Sequence, residues 1–408
     1  MVTLESPEGR CLPLVRLLQF LGVVTVCINH LTISLLKTPT PTLPSWMTSD
    51  LPVAGITLLF VSTGFCVHLG TKQRSLFTTA GRVEATGLVL TALALMLPIV
   101  WLCLAADVLV SGYTFVAKSA GVLSALPFSA FLTQNWIFKT IGDATLVAPF
   151  ASSNVVWIGG SLLFVVAAYA LSSRFVTRLG RPATIFACAL VIYAANIIIH
   201  SALFSNIAAI NAYAVGALGE MAGGHPAPAA FAYFSWLQFY APWIRLPEFF
   251  IGVLLAHYYE SSSVKKAGGG KIGVATGLLL GGFCIYFACL DHPWSPAGKV
   301  AAAGLGSVGL ILLAAECSHH RYGMILGNHP LVASLSASAF VLWCWHLFWY
   351  NAYTIPPIET ANPWHIGLVV ARILALNLFV VLTAVGLTHK IQIPIARWFR
   401  SRVLALKS

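Results

Sequence analysis

Long apolar runs separated by short polar breaks dominate the chain. Ten runs are long enough to span, at 17–36, 51–70, 85–106, 154–172, 183–204, 236–258, 272–290, 299–315, 330–352 and 366–388. About twenty apolar residues in a helix cross roughly 30 Å of hydrocarbon. The pattern therefore predicts an all-α fold, a polytopic transmembrane helical bundle of about ten spans. Charge bias decides an ambiguous eleventh run at 119–138. With ten spans and a cytosolic N-terminus, the clusters Arg174, Arg178 and Arg181, then Lys265, Lys266 and Lys271, then Lys390 to Lys407 all face the cytosol. The other side keeps only Lys37, Lys118, Lys139 and Lys299. An eleventh span would turn the 174–181 arginines outward, against the positive-inside rule. Residues 107–153 thus read as one external segment, partly helical or re-entrant. Both termini read as cytosolic, within a single membrane domain over 1–408. The basic tail 390–408 suits the anionic inner leaflet.

Composition agrees with this picture. The 408 residues are 58% hydrophobic and 9% charged, against about 25% charged in soluble domains. The net charge of +11 reads as cytosolic-loop lysine and arginine rather than a nucleic-acid surface. Nine cysteines are scattered without a Cys-x-x-Cys pair, so they read as small buried hydrophobes. No metal-ligand spacing stands out. The expected partner is the lipid bilayer, with no nucleic acid; the oligomeric state is left open.

Chemistry then rests on the polar residues inside the runs. His30 lies in Leu17–Leu36, about 20 Å along the helix from Leu17, past the bilayer midplane. Ionisable groups at that depth are costly and default to function, and imidazole suits proton transfer near neutrality. Asn29 precedes it. His346 stands among Trp343, Trp345, Trp349 and Tyr350, which read as an external aromatic belt, and it is a candidate second wall for the His30 pocket. Arg245 and Glu248 are three apart on one helix face, which predicts an ion pair, and Pro247 between them invites a kink. His68, His200 and His257 read as interfacial or packing histidines. Arg372 is placed to snorkel to the external face.

An ordered series of motifs resembles the acyltransferase-3 family of integral membrane acyltransferases. The first span with His30 is similar to the family's opening helix. Leu58-Leu-Phe-Val-Ser-Thr-Gly-Phe65 resembles its "FFVLSGF" helix, and Phe131-Leu-Thr-Gln-Asn-Trp136 resembles "L-x-Q-N-W". Arg245-Leu-Pro-Glu-Phe-Phe-Ile-Gly252 is similar to "R-x-P-E-F-x-x-G", and Ser338 to His346 resembles "S-Y-x-x-Y-L-x-H". The chain departs from the pattern elsewhere. Gln19 stands where the family usually has arginine, no acid follows Trp157, Ala85 stands where another arginine is common, and the terminal "E-x-P" reads Gln392-Ile-Pro394.

The resemblance implies transfer of an acyl group, often acetyl, from acyl-CoA to a hydroxyl of a glycan, lipid or small metabolite. On that reading His30 is the base, with Asn29, Gln19 or His346 orienting it or donating to the oxyanion. Arg245, Glu248, Asn135, Trp136 and Trp157 join Gln19 and His346 around the substrate. Arg74 and Arg82, on the cytosolic face, meet the acyl-CoA phosphates. Loss of the family's acid and arginine motivates a second reading, acid–base isomerisation or cyclisation of an apolar substrate in the same fold. A transporter or flippase and a non-catalytic scaffold complete the alternatives.

Overall fold

The computed structural model describes residues 12–35, 50–71, 79–115, 126–136, 140–141, 144–145, 153–218, 233–234, 236–261, 269–289, 295–318, 320–352 and 363–405. They form a helical bundle. In chain order its helices are α1 (Pro13–Leu35), α2 (Leu51–Gly70), α3 (Thr79–Phe115), α4 (Leu126–Ala130), α5 (Ser153–Thr177), α6 (Pro182–Ser205), α7 (Ile207–Leu218) and α8 (Leu246–Ser261). After these come α9 (Gly269–Ala288), α10 (Ser295–Cys317), α11 (Arg321–Gly327), α12 (Pro330–Ala337), α13 (Ala339–Ala352), α14 (Pro363–Leu387) and α15 (Ile393–Ala405). A two-residue antiparallel ladder, Thr140 opposite Thr145 and Ile141 opposite Ala144, is a small addition between α4 and α5.

Among the described residues eight helices are long and apolar enough to cross a membrane, and nine if the bent pair α12–α13 is one span. The described apolar stretch of α9, Ile272–Ala288, is shorter. The protein is therefore a multi-pass membrane protein with close to the expected number of spans. Two runs differ from expectation in shape. The run 330–352 is broken, with α12 and α13 meeting at 52°. The run 236–258 opens with a π-turn at Trp236–Tyr240 and a 3-10 turn at Pro242–Arg245 before α8 begins. Pro247 then falls in the first turn of α8, where a proline costs no hydrogen bond, so the expected mid-helix kink is absent.

Helix α2 runs through the middle of the bundle, with α1, α8 and α10 packed against it. Glycines set how close these neighbours come. A Cβ at Gly55 would lie 2.6 Å from the Gly22 carbonyl oxygen, and one at Gly22 would lie 2.9 Å from that of Gly55. On the side toward α8, a Cβ at Gly64 would collide with the Phe249 carbonyl, and one at Gly252 with the Val61 carbonyl. Small residues let backbones touch in this way, which is how membrane helices gain packing where hydrophobic burial drives little. Phe60, Phe65, Phe249 and Val253 fill the space on either side of the crossing.

Seven cysteines are free thiols among the described residues. Cys66 is disulfide-bonded, which departs from the reading of every cysteine as an isolated hydrophobe.

Candidate functional site

Helix α1 carries His30 to within hydrogen-bonding distance of His346 on α13. The His30 Nδ1 to His346 Nε2 separation is 2.8 Å. The rings are 9° from parallel with centroids 5.1 Å apart. A contact that short between ring nitrogens, with near-parallel planes, means the imidazoles meet edge to edge in one plane rather than face to face. His346 Nδ1 lies 3.1 Å from the Leu342 carbonyl, one turn back on its own helix.

That second bond assigns the protons. A carbonyl only accepts, so His346 Nδ1 carries a hydrogen and donates it to Leu342. In neutral His346 the Nε2 is then the acceptor, and His30 Nδ1 must donate to it. His30 is left with the lone pair on Nε2, which makes no hydrogen bond among the described residues. The order Leu342 carbonyl, His346, His30 is the arrangement in which one imidazole fixes the tautomer of another.

The wall around the pair is aromatic. His346 is fully buried, with Tyr350 edge-on at 5.5 Å and Trp343 at 6.5 Å. Trp343 meets Trp157 at 6.2 Å, and Trp157 meets Tyr240 at 5.3 Å. Tyr350 donates to Asn377 Oδ1 at 2.6 Å, which holds α13 to α14. Trp343 and Tyr350 are core residues rather than belt residues, because their faces turn into the bundle. Of the expected belt, Trp345 and Trp349 are partly buried and pack with Phe348.

The Arg245–Glu248 pair expected from spacing is present and buried on both sides, at 3% and 2% exposure. Arg245 Nη1 donates to both carboxylate oxygens at 3.1 Å, and Thr57 of α2 donates to Oε1 at 2.9 Å. The guanidinium also lies 5.9 Å from the Phe60 ring centroid. A three-way arrangement of this kind satisfies charges that would otherwise be prohibitive in a low-dielectric interior.

The remaining expected residues fall in several places. Asn29 is buried beside His30 on α1. Gln19 lies eleven residues before His30 on the same face, about 16 Å toward the N-terminus of α1, and donates to Thr63 at 3.3 Å. It is too far to orient His30; His346 holds that position instead. Asn135 and Trp157 both reach Tyr240, Trp157 through its ring: Asn135 Nδ2 donates to Ser161 at 2.8 Å and to the Tyr240 carbonyl at 3.1 Å. Trp136 is exposed and lies edge-on to Phe164, turned away from Asn135. Arg74 lies outside the described residues, and the side chains of Arg82 and Ala85 do as well. Arg372 is exposed on α14.

A turn shapes the Asn135 region. Helix α4 ends with Leu132 at φ 60°, an unusual conformation for a residue with a Cβ. Thr133 N–H reaches the Phe128 carbonyl at 2.8 Å and Leu132 N–H that of Ser129 at 3.2 Å, the paired bonds of a Schellman end. Burial of the Leu132 side chain against Gly159 offsets the strain, since any Cβ there would lie 2.8 Å from it. Gly160 likewise makes room for Asn135 Oδ1 and the Leu132 carbonyl.

Sequence reasoning missed a second polar group at the other end of α2. His68 Nε2 lies 3.5 Å from Glu260, and Tyr169 OH bridges His68 Nδ1 at 3.2 Å and Thr71 at 3.0 Å. The His257 ring sits 5.2 Å from that of His68, with its Nε2 donating to the Leu179 carbonyl at 3.0 Å. Ligand atoms of His68, His257 and Glu260 come within 4.8 Å of one another. Protein hydrogen bonds already occupy both His68 nitrogens and His257 Nε2, so the group reads as a hydrogen-bonded network. A spacing signal existed only for His257 and Glu260, three apart on α8.

In comparisons of the chain with family models, curated proteins and solved structures, nothing matches.

Proposed function

We propose that the protein is a membrane O-acyltransferase that moves an acyl group from acyl-CoA to a hydroxyl, with His30 Nε2 as the general base. The supporting observation is the in-plane His30–His346 bond anchored on the Leu342 carbonyl, which leaves His30 Nε2 as a lone pair to which no described residue donates. In the proposed step Nε2 takes the hydroxyl proton as the oxygen attacks the thioester carbonyl. The carbon–sulfur bond breaks, and the departing CoA thiolate takes the proton back from His30. The products are the ester and CoA thiol, so no oxidant, reductant or metal enters the balance. His346 acts as a positioning residue: it holds the ring and accepts from Nδ1 while His30 is transiently cationic. Arg74 and Arg82 keep their proposed role toward the CoA phosphates.

The test uses the full chain in nanodiscs with acetyl-CoA and a panel of hydroxyl acceptors, reading CoA thiol release and product ester. His30→Ala should lower turnover by about 10²–10⁴-fold, the usual contribution of a positioned base. Undiminished turnover in a folded His30→Ala protein overturns the assignment.

The aromatic wall of Trp343, Trp157 and Tyr350 supports a second reading, acid–base isomerisation or cyclisation of an apolar substrate. That enzyme would form product with no acyl-CoA present.

A further inference from the structure

Helix α14, the π-turn Thr388–Gln392 and α15 follow one another without a break, and one apolar span runs through them from Val370 to Phe399. Exposed charge along this helix marks the depth of the bilayer. Arg372 is exposed near its start, and Leu374, Leu378, Phe379 and Leu382 are exposed after it. The next exposed lysine or arginine, Lys390, comes about 27 Å further along. That interval matches the roughly 30 Å of hydrocarbon between two snorkelling cations. Trp398 is about 39 Å from Arg372 along the helix, and Arg402 about 45 Å. A bilayer with its headgroups measures roughly 40–45 Å, so both residues fall in the headgroup layer at this end.

Helix α15 has two faces there. Ile393, Ala396 and Phe399 are partly buried, and the helix packs on α3, with Gln392 Nε2 donating to the Leu95 carbonyl at 3.1 Å. Ile395, Trp398 and Arg402 follow at spacings of three and four on the exposed face. They are graded along the helix as a lipid is: an alkyl group, then an indole, then a cation. The Arg402 guanidinium carbon lies 5.9 Å from the Trp398 ring centroid. A cation–π contact uses the face of the guanidinium and leaves its N–H edge to meet an anion. Among the described residues no carboxylate pairs with Arg402. The stretch 390–408 holds five lysines and arginines and no acid.

We propose that Ile395, Trp398 and Arg402 form a binding site for one anionic phospholipid on the outer face of α15. The acyl chain packs on Ile395, the glycerol region lies against the indole, and the phosphate meets the N–H edge of Arg402. A zwitterionic lipid brings its own ammonium into this cationic field and is disfavoured. A second copy of the chain would set the same cations against each other. The site is defined by depth and charge, so it holds whichever side of the membrane this end faces, and whether or not His30 is a base.

The experiment places the full chain, labelled with 5-fluorotryptophan, in phosphatidylcholine nanodiscs. Loss in Trp398→Phe assigns the Trp398 ¹⁹F signal. Phosphatidylglycerol then replaces phosphatidylcholine in steps. The Trp398 signal should move and saturate, and zwitterionic phosphatidylethanolamine should leave it in place. Arg402→Gln should raise the half-saturating mole fraction about fivefold, the worth of one cation at an anionic surface. Arg178→Gln, which removes an exposed cation between α5 and α6, should not change it. Both arginines are exposed, so neither variant should shift the unfolding midpoint in phosphatidylcholine. A signal that stays still up to pure phosphatidylglycerol overturns the proposal. Drift without saturation, or an equal effect of the two arginine variants, shows general surface charge and overturns it too. An equal shift from soluble glycerol 3-phosphate in phosphatidylcholine nanodiscs makes this an anion site and overturns the lipid assignment.

Discussion

A backbone carbonyl has no proton to give, so the bond from His346 to Leu342 sets the tautomers of two imidazoles together. In the acyl-transfer reading this yields a graded prediction at position 346. His346→Phe removes the acceptor for His30 Nδ1 and should cost about 10–100-fold in turnover, the range for losing a group that orients a histidine. His346→Gln can still accept through its carbonyl oxygen and should recover part of that loss. Initial rates at saturating acyl-CoA distinguish the two; equal loss in both would make His346 a packing residue. Glu248 supports a prediction independent of chemistry. Glu248→Ala removes the carboxylate that neutralises Arg245 in the interior, which should cost about 3–5 kcal/mol and lower the unfolding midpoint sharply. Double replacement by leucine at 245 and 248 should recover much of it, since no charge is then left alone. The Arg245–Glu248 pairing was legible from spacing, because three residues of helix bring two side chains together wherever the helix lies. The His30–His346 pairing was only half legible. Each histidine stood out as a polar group in an apolar run, but 316 residues separate them and no local rule brings them together.

Among the elements, the clearest lesson is where helices end. Apolar runs locate spans well, because hydrocarbon thickness sets their length. They do not locate breaks inside a run. The 330–352 run gives no composition signal strong enough to foretell the 52° bend at Ser338, and 236–258 conceals two irregular turns before α8. Both irregular stretches are close to the polar residues of interest, as expected where backbone departs from regularity beside a site. Helix contacts allow a direct comparison between glycines. Gly252→Ala pushes a methyl into the Val61 carbonyl of α2 and should destabilise by about 1–3 kcal/mol, the cost of overpacking. Gly277→Ala on α9 meets nothing within 4 Å and should be neutral or stabilising by up to about 1 kcal/mol through helix propensity. Thermal unfolding in detergent should rank the two in that order; reversal would mean that α2 and α8 are less tightly packed than their backbones indicate.

At the scale of the whole molecule, orientation follows from charge alone and can be checked without any substrate. Helix α6 separates the 174–181 arginines from Asn206. In sealed cells, Arg178→Cys should react with an impermeant maleimide only after permeabilisation, and Asn206→Cys should react from outside. Labelling of both from the same side would reverse the assigned topology or remove α6 as a span. On this orientation His30, His346, Thr57, Glu248 and His200 all lie in the half of the bundle away from the cytosol. The His68–Tyr169–Glu260 network lies in the other half. Acyl-CoA is a cytosolic molecule, so the proposed reaction requires its pantetheine arm to reach inward past that network.

The glycine crossings carry a mechanical consequence. Helix α2 is seated against α1 on one flank and α8 on the other by backbone-to-backbone notches, with side chains filling the space around them. To slide or rock one flank, a carbonyl would have to climb out of its notch over the neighbouring residues. The three helices therefore behave as one rigid slab. A pump that alternates between two faces needs a seam that slips, and this trio supplies none. Solutes reaching His30 must come through gaps at the slab's margins, while the slab holds still.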